Sequence, residues 1–215
     1  MNIYDVVNEK SKRIERKIIL SKGQSNFFRY NLKDIGFSPT YVDRNVSSIY
    51  FDDSDLSSLR DNIDGNRNRN KIRVRYYNGE IENWFIEIKQ KRGFLGYKHR
   101  INSPHIVKND YDLVQYMSTW SRSELNNFII PVSKVMYSRS YFQKGSFRAT
   151  IDVNVNSHRL SSSGTRLFSS INDYEVIEFK YDSKYDEEFR DLFGEMNRNY
   201  VRASKSSKYS NSMMF

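Results

Sequence analysis

The chain has 215 residues, with 35 Lys and Arg against 26 Asp and Glu for a formal net charge of +9, and it contains no cysteine. The lack of cysteine excludes disulfides, thiolate metal ligands and a cysteine nucleophile. Its first residues lack a secretory signal, and no run of about 20 apolar residues predicts a membrane span. We therefore expect a cytoplasmic protein with a single domain over residues 1–215 and a polyanionic partner.

Period-two alternation recurs along the chain and predicts β-strands, because successive side chains of a strand point to opposite faces. In 71–76 the alternation separates three cations, Lys71, Arg73 and Arg75, from the apolar residues between them. The other predicted strands also oppose a charged face to an apolar one, except for the short apolar strand at 47–51. The predicted strands are 13–20, 47–51, 71–76, 84–91, 135–142, 148–155 and 175–181.

Helices are fewer and are predicted between these strands. Cap residues and helical spacing of apolar residues indicate helices at 25–32, 54–60, 111–120 and 184–197, with Ser54 or Asp55 as the cap of the second. Two remaining segments are predicted to be irregular: 62–70 as a polar connection and 157–173 as a long loop or loop-helix insertion. We expect the helices to cover the sheet from outside.

The charged faces of the strands are the candidate functional surface. A single such face could simply lie in water, but if the sheet closes, the faces converge on a lumen where cations repel unless an anion fills it. Arginine and lysine both suit phosphate oxygens, which predicts a polyphosphate or nucleoside triphosphate ligand. Carboxylates among the cations imply either ion pairs or a bridging divalent cation. The expected lining is Lys17, Lys71, Arg73, Arg75, Lys89, Arg139, Arg148 and Lys180, with Glu15, Glu87, Asp152 and Glu178.

Short motifs occur in a definite order over nearly the whole chain. They are Arg13-Ile14-Glu15-Arg16-Lys17, Ile49-Tyr50-Phe51-Asp52 followed by Leu56 and Leu59, Lys71-Ile72-Arg73-Val74-Arg75, Glu87-Ile88-Lys89, Tyr137-x-Arg139 with Tyr141-Phe142, Arg148-Ala149-Thr150-Ile151-Asp152, Val176-Ile177-Glu178-Phe179-Lys180 and Ser207-Lys208-Tyr209. In order and spacing, this set resembles the catalytic domain of the vacuolar transporter chaperone (VTC) polyphosphate polymerases, within the triphosphate tunnel metalloenzyme superfamily.

The resemblance implies an α+β fold: a closed antiparallel β-barrel of eight strands with helices packed outside. It implies that the γ-phosphate of ATP is transferred to a growing polyphosphate chain. The implied catalytic residues are Lys17, Arg73, Arg75, Lys89, Arg139, Arg148 and Lys208. The further phosphate-binding candidates are Lys71, Lys180, Ser207 and Tyr209. Glu178 matches the family's metal-binding glutamate, for Mn²⁺ or Mg²⁺; Glu15, Glu87 and Asp152 are further metal candidates that could instead orient the basic residues.

The sequence leaves several alternatives open. The superfamily's Glu-x-Glu-x-Lys signature is incomplete, since Arg13 stands at the position of its first Glu, and the resemblance then favours the polymerase branch. The same lumen could serve a metal-dependent tripolyphosphatase or nucleoside triphosphatase, or a polyphosphate-binding module without catalysis. A nucleic-acid partner is not expected, because the aromatics mostly lie opposite the cations on the predicted strands. The chain resembles the catalytic core alone, so membrane association would require a partner protein.

Overall fold

The computed structural model describes residues 13–93, 95–102, 105–196, 204 and 207–214. The side chain of Arg13 and residue 197, the end of the last predicted helix, lie outside what it describes. One antiparallel sheet of nine strands dominates these residues. The strands are β1 (Arg13–Ser21), β2 (Ser38–Asp52), β3 (Arg69–Tyr77), β4 (Phe85–Arg92), β5 (Leu95–Asn102), β6 (Ile130–Lys144), β7 (Phe147–Leu160), β8 (Arg166–Ile171) and β9 (Tyr174–Asp182).

The sheet is strongly curled. Its strand order is β1-β9-β7-β6-β2-β3-β4-β5, with β8 paired to β7 beside this path. At the usual strand spacing, β1 and β4 would lie about 29 Å apart in a flat sheet. Yet Lys89 Nζ on β4 lies 3.3 Å from Glu15 Oε2 on β1. The sheet must therefore bend back on itself, and it has one concave and one convex face.

The predicted α+β class and antiparallel pairing are confirmed, but the closed barrel of eight strands is wrong. The sheet has nine strands and forms a half-barrel, because β1 and β5 are the two ends of the strand order in the described residues. The backbone N–H of Ser204 donates to the carbonyl of Lys17 over 2.7 Å, so another segment occupies that point of the β1 edge. Strand β5 itself is largely exposed.

Three helices cover the convex face, as predicted. They are α1 (Gln24–Asp34), α3 (Asp110–Glu124) and α4 (Asp186–Met196). The apolar faces of β1, β7 and β9 pack on α1 and α4, with Phe28 and Phe189 in the buried cluster. The apolar faces of β2, β3 and β4 pack on α3 around Leu113 and Met117. This covering leaves the opposite, charged faces of the same strands to line the concave side.

The last helix, α5 (Lys208–Ser212), corrects the expectation that all helices lie outside. Tyr209 is buried in a cluster with residues of the concave face such as Val135 and Val155. Its ring stacks on that of Tyr50, with centroids 5.1 Å apart, and its hydroxyl donates to Asp52 Oδ2 over 2.6 Å. Helix α5 therefore lies against one end of the concave face.

The remaining helix, α2 (Ser57–Ile63), begins later than predicted and has a different cap. Leu56 stands at the cap position in the left-handed region, with φ 55°, and its side chain caps nothing. The carboxylates of Asp52 and Asp53 instead accept hydrogen bonds from the first backbone N–H groups of the helix. The predicted cap, Ser54 or Asp55, is therefore wrong.

Two strands were not predicted. The segment 157–173, expected to be a loop or loop-helix insertion, forms the end of β7, a turn and the edge strand β8. Strand β5 follows β4 in the chain and pairs with it along its whole length. Both strands lie at the margins of the sheet and carry few buried side chains, so neither shows a strong apolar period.

Candidate active site

Strand register brings the predicted charged residues onto the concave face. Lys17 and Thr150 both pair with Glu178 across neighbouring strands, and Arg73 pairs with Glu87. Because directly opposed residues share a face, these contacts confirm that β1, β9 and β7 present one continuous surface, and β3 and β4 another. The curl of the sheet then turns the two surfaces toward each other, as the Lys89–Glu15 contact shows.

Glu87 is the centre of the group on β3 to β5. Arg73 Nε donates to its Oε2 over 2.7 Å, Arg75 Nη1 lies 3.8 Å from it, and Lys98 is ion-paired to Oε1. Burial alone would raise the pKa of Glu87, but Arg73, Arg75 and Lys98 hold that pKa well below its usual range. Glu87 is therefore a charged, saturated carboxylate that orients cations.

Tyrosine hydroxyls orient the same arginines. Arg73 Nη1 donates to the Tyr50 hydroxyl over 3.1 Å, and Arg75 Nη2 donates to the Tyr137 hydroxyl over 3.0 Å. Arg75 also donates to Ser48 Oγ, 3.1 Å away. These rings lie on the concave face among the cations, although alternation predicted most aromatics on the opposite face. These hydroxyls, together with Glu87, fix the positions of the guanidinium groups.

Asp152 is the second buried carboxylate that orients cations. It is fully buried, and its two oxygens accept from Arg139 Nε and Nη2 over 2.6 and 2.8 Å. Lys208 Nζ, at the start of α5, donates to Asp152 Oδ2. Burial opposes ionisation of Asp152, but Arg139 and Lys208 outweigh it and lower the carboxyl pKa. Asp152 therefore connects α5 to the sheet through a charged network.

Glu15 and Glu178 form a third group on the neighbouring strands β1 and β9, where Glu15 pairs with Lys180 and Lys17 pairs with Glu178. Lys17 Nζ is 2.9 Å from Glu15 Oε1, and Lys180 Nζ is 3.1 Å from Glu178 Oε1. Burial would raise the pKa of Glu178, but its contact with Glu15 and the cations Lys180, Lys17 and Arg139 keep that pKa well below its usual range.

This pair fits a divalent metal ion. Adjacent carboxylates repel each other unless a proton or a cation lies between them, and Mg²⁺ is commonly held by one or two carboxylates plus substrate phosphates. The described residues contain no cluster of three or more His, Asp or Glu that could hold a metal by itself. Phosphate oxygens or water would therefore have to complete the coordination.

Lys71 and Ser207 meet where α5 begins. Lys71 Nζ donates to Ser207 Oγ over 2.8 Å, and Ser207 caps α5 through the N–H of Ser210. Burial and the neighbouring cations Lys17 and Lys89 lower the pKa of Lys71 to about 7. The hydroxyl of Tyr209 bonds Asp52 instead of facing the cations, so its phosphate-binding role stays a prediction.

Two predicted residues lie at the outer part of the site. Arg148 is exposed and pairs with Lys180 across β7 and β9, and the side chain of Lys180 is 40 % exposed. One lysine was missed: Lys98, on β5, pairs with Lys89 in register and contacts Glu87. The alternation of Lys98 and Arg100 was the available signal for it, but β5 was not recognised as a strand.

Comparison with known proteins identifies the family and supports the fold. A family model described as the VTC domain matches residues 3–215. No protein of the curated set matches the sequence. In the part of the chain that the structure describes, every helix is too short or too polar to cross a membrane.

Several solved structures share the fold at low sequence identity. A putative adenylate cyclase from Vibrio parahaemolyticus is 13% identical, with a TM-score of 0.56 and coverage of 95% of this chain and 99% of its own. A protein of Pyrococcus horikoshii OT3 is 10% identical, with a TM-score of 0.55 and coverage of 91% and 97%. A putative adenylyl cyclase from Hippeastrum, described as having a dominant triphosphatase activity, is 9% identical, with a TM-score of 0.54 and coverage of 93% and 95%.

Proposed function

Since the chain belongs to the VTC domain family, we propose that it is a polyphosphate polymerase that transfers the γ-phosphoryl group of ATP to a growing polyphosphate chain. The transfer takes place on the basic concave face and depends on Mn²⁺ or Mg²⁺. The protein would act in the cytoplasm as one domain, residues 1–215. ATP and polyphosphate are its partners; nucleic acid is not, and membrane association would require another protein.

The observation that carries the proposal is the excess of cations that converge on one face. The carboxylates among them, Glu87 and Asp152 above all, are already saturated by ion pairs. Further basic side chains, including Lys71 and Lys89, lie on the same face beyond those pairs. Such a surface repels itself when empty, and a polyphosphate supplies the closely spaced negative charges that would neutralise it.

The reaction requires positioning and charge neutralisation but no nucleophile from the protein. A terminal oxygen of the acceptor chain forms a bond to the γ-phosphorus while the bond from that phosphorus to the β,γ-bridging oxygen breaks, and ADP leaves with the electron pair. Arg73, Arg75, Arg139 and Arg148 bind the phosphate oxygens. Glu87 and Asp152 hold three of these guanidinium groups in place, so that little reordering of the arginines is needed when the ligand binds.

The lysines take the second role, at the oxygens whose charge changes during transfer. Lys17, Lys89 and Lys208 would stabilise the transferring and entering groups, with Lys71, Lys180 and Ser207 as further phosphate contacts. Glu178, with Glu15 beside it, would hold the metal. When bound, a divalent metal neutralises phosphate charge and polarises the oxygens of the transferred group.

Phosphorus NMR on ATP plus Mn²⁺ or Mg²⁺ tests the proposal directly. The intact protein should produce ADP and lengthening polyphosphate, and Glu178→Gln and Arg73→Ala should abolish turnover. Both side chains lie on the concave face, so near-ultraviolet circular dichroism should show that the fold persists. Tyr30→Ala, at an exposed residue of the outer helix α1, is the matched control and should turn over normally. Unchanged ATP after long incubation would refute an enzymatic function.

The second candidate is a metal-dependent tripolyphosphatase or nucleoside triphosphatase, in which water replaces the polyphosphate acceptor. The observation in its favour is the dominant triphosphatase activity described for the Hippeastrum protein of the same fold. The same experiment separates the two reactions, because hydrolysis releases orthophosphate with ADP and builds no chain. Tight binding of polyphosphate without any turnover would favour a binding module instead.

A further inference from the structure

A cluster of tyrosines around one arginine lies on the concave face, away from α5. Arg44 on β2 has its guanidinium carbon 5.6 Å from the ring centre of Tyr41, 5.7 Å from that of Tyr77 and 5.9 Å from that of Tyr141. The rings of Tyr41 and Tyr141 meet edge to face, with centroids 5.5 Å apart. The three rings come from three strands, β2, β3 and β6, so the cluster depends on the folded sheet.

The cluster is accessible, which distinguishes it from the aromatic residues of the core. Tyr41 is 63% exposed, Arg44 is exposed, and Tyr77 and Tyr141 are only partly buried. In the described part of the chain Arg44 has no salt bridge; the three rings hold it instead. Accessible faces on which aromatic rings alternate with guanidinium groups are the surfaces on which nucleic-acid bases stack.

The cluster is continuous with the phosphate-binding residues. Arg44 pairs directly with Arg139 across β2 and β6, and Tyr141 lies two residues beyond Arg139, about 7 Å along the same strand. Arg139 is one of the arginines to which the proposed function assigns phosphate contacts. A ribose can bridge such a gap between a bound phosphate and a stacked base.

The position along the sheet also separates the cluster from α5. Helix α5 contacts β2 at Asp52 and β6 at Ser133, whereas Arg44 and Tyr141 lie about 26 Å away along the same two strands. The base would therefore occupy one end of the concave face, with its phosphates directed toward the cations of the middle.

We propose that Tyr41, Arg44, Tyr77 and Tyr141 form a stacking site for the base of the nucleoside triphosphate donor. The inference rests on the proposed function, since it assumes that a triphosphate binds the cations beside Arg139. Stacking is tolerant of base identity, so we expect all four nucleoside triphosphates to bind, the purine nucleotides more tightly because their rings are larger.

The test compares ATP with tripolyphosphate, which has the phosphates but no base. Isothermal titration calorimetry on the full chain, with the metal held constant, should show that Tyr41→Ala and Tyr141→Ala weaken ATP binding about tenfold each. Affinity for tripolyphosphate should change by less than about twofold, and that result also shows that the variants are folded. Tyr41→Phe keeps the ring and should recover most of the lost affinity.

Tyr30→Ala is the matched control, because Tyr30 is 70% exposed but lies on α1, outside the sheet. It should bind both ligands like the unmodified chain. Equal losses for ATP and tripolyphosphate in the Tyr41 and Tyr141 variants, or no loss for either, would overturn the stacking site. Wild-type binding of tripolyphosphate but not of ATP would also overturn it, while leaving a phosphate site in place. Binding of neither ligand would refute both the stacking site and the proposed function.

Discussion

Lys71 is a cation on the concave face whose charge depends on pH near neutrality. Its pKa is lowered to about 7 by burial first and then by Lys17, Lys89, Arg73 and Arg69. Its amine donates a hydrogen bond to a neutral hydroxyl, Ser207 Oγ at 2.8 Å, which cannot compensate a positive charge. A bound polyphosphate would supply that compensation and would favour the protonated amine.

We therefore expect polyphosphate binding to take up a proton at Lys71 and to weaken as the pH rises through 7. Between pH 6 and pH 9 the affinity of the intact protein for tripolyphosphate should fall about tenfold more than that of Lys71→Arg, because arginine stays charged throughout. Calorimetric titrations in two buffers of different ionisation enthalpy would also count the proton. Parallel pH profiles for the two proteins would contradict this assignment.

The same pKa shift gives Lys71 an effect on stability of known sign. The unfolded chain keeps the ordinary lysine pKa, so between about pH 7 and the ordinary value the unfolded state binds more protons than the folded state. The contribution of Lys71 to the free energy of unfolding therefore rises with pH in this window. As the pH rises, ligand affinity should therefore fall while this contribution to stability increases. This is the behaviour expected of a cation whose charge destabilises the folded protein until a polyanion binds.

Asp152 illustrates a buried carboxylate whose loss should be costly. It is fully buried and accepts from Arg139 and Lys208, and removal of one member of such a pair leaves uncompensated buried charge. Asp152→Ala should lower the free energy of unfolding by about 3–5 kcal/mol, measured by urea denaturation without metal or ligand. Asp34→Ala, at an exposed position on α1, is the control and should stay within about 0.5 kcal/mol. An equally small change for Asp152→Ala would contradict its role in orienting Arg139 and Lys208.

At the scale of elements, α5 is held by polar contacts and by one buried ring. Tyr209 donates to Asp52, Ser133 Oγ donates to Ser212 Oγ over 2.6 Å, and Arg159 Nη2 donates to the carbonyl of Met213. Five residues form only a little more than one helical turn, which has no independent stability in water. The helix therefore depends on these contacts with the sheet.

Tyr209 allows the polar and apolar parts of this anchor to be separated. Tyr209→Phe removes only the hydroxyl bonded to Asp52 and should cost about 1–2 kcal/mol of unfolding free energy. Tyr209→Ala also removes the ring stacked on Tyr50 and should cost about 3–5 kcal/mol. Urea denaturation measures both, with Tyr30→Phe as the surface control. Equal costs for the two Tyr209 variants would show that the buried ring contributes nothing to the anchor.

Local sequence patterns predicted the elements that alternate most strongly. In β3, the cations Lys71, Arg73 and Arg75 alternate with buried or half-buried apolar residues, so both the strand and its charged face could be recognised. In β5 and β8, one or both faces are exposed, and the apolar period that would reveal a strand is absent. The prediction of a closed barrel failed for the same reason. Whether a sheet closes depends on which strands form its edges, and the edge strand β5 was not recognised from the sequence.

The sequence predicted which residues belong to the candidate site better than it predicted which ion pairs these residues form. Alternation places Glu87 and Lys89 on one face, but it does not show that Glu87 binds Arg73 and Lys98 while Lys89 crosses to Glu15. Those partners depend on the register between strands and on the curl of the whole sheet. Two of the tyrosines that hold Arg44, Tyr77 and Tyr141, likewise come from strands far from it in sequence.

At the scale of the molecule, the concave face carries more cations than carboxylates, in a chain whose formal net charge is +9. Cations from most strands of the half-barrel share its concave face, and each saturated carboxylate neutralises only part of them. A polyanion that binds this face in the folded state alone must stabilise the fold by mass action. Simple salt only screens the repulsion, and buried or partly buried charges are screened less than exposed ones.

Tripolyphosphate should therefore raise the melting temperature far more than sodium chloride at equal ionic strength. At a free concentration of 100 times Kd, it should add about 2.7 kcal/mol, which corresponds to roughly 8 °C for a domain of this size. Differential scanning fluorimetry of Lys89→Met should show a smaller rise, since Lys89 reaches into the site from β4 with its side chain 58% exposed and can be replaced without disturbing the core. Lys33→Met removes an exposed cation from α1 and keeps the net charge of the two variants equal. An identical rise in melting temperature for both variants would mean that tripolyphosphate binding depends on the overall charge of the protein. The concave face would then not be a specific polyphosphate site.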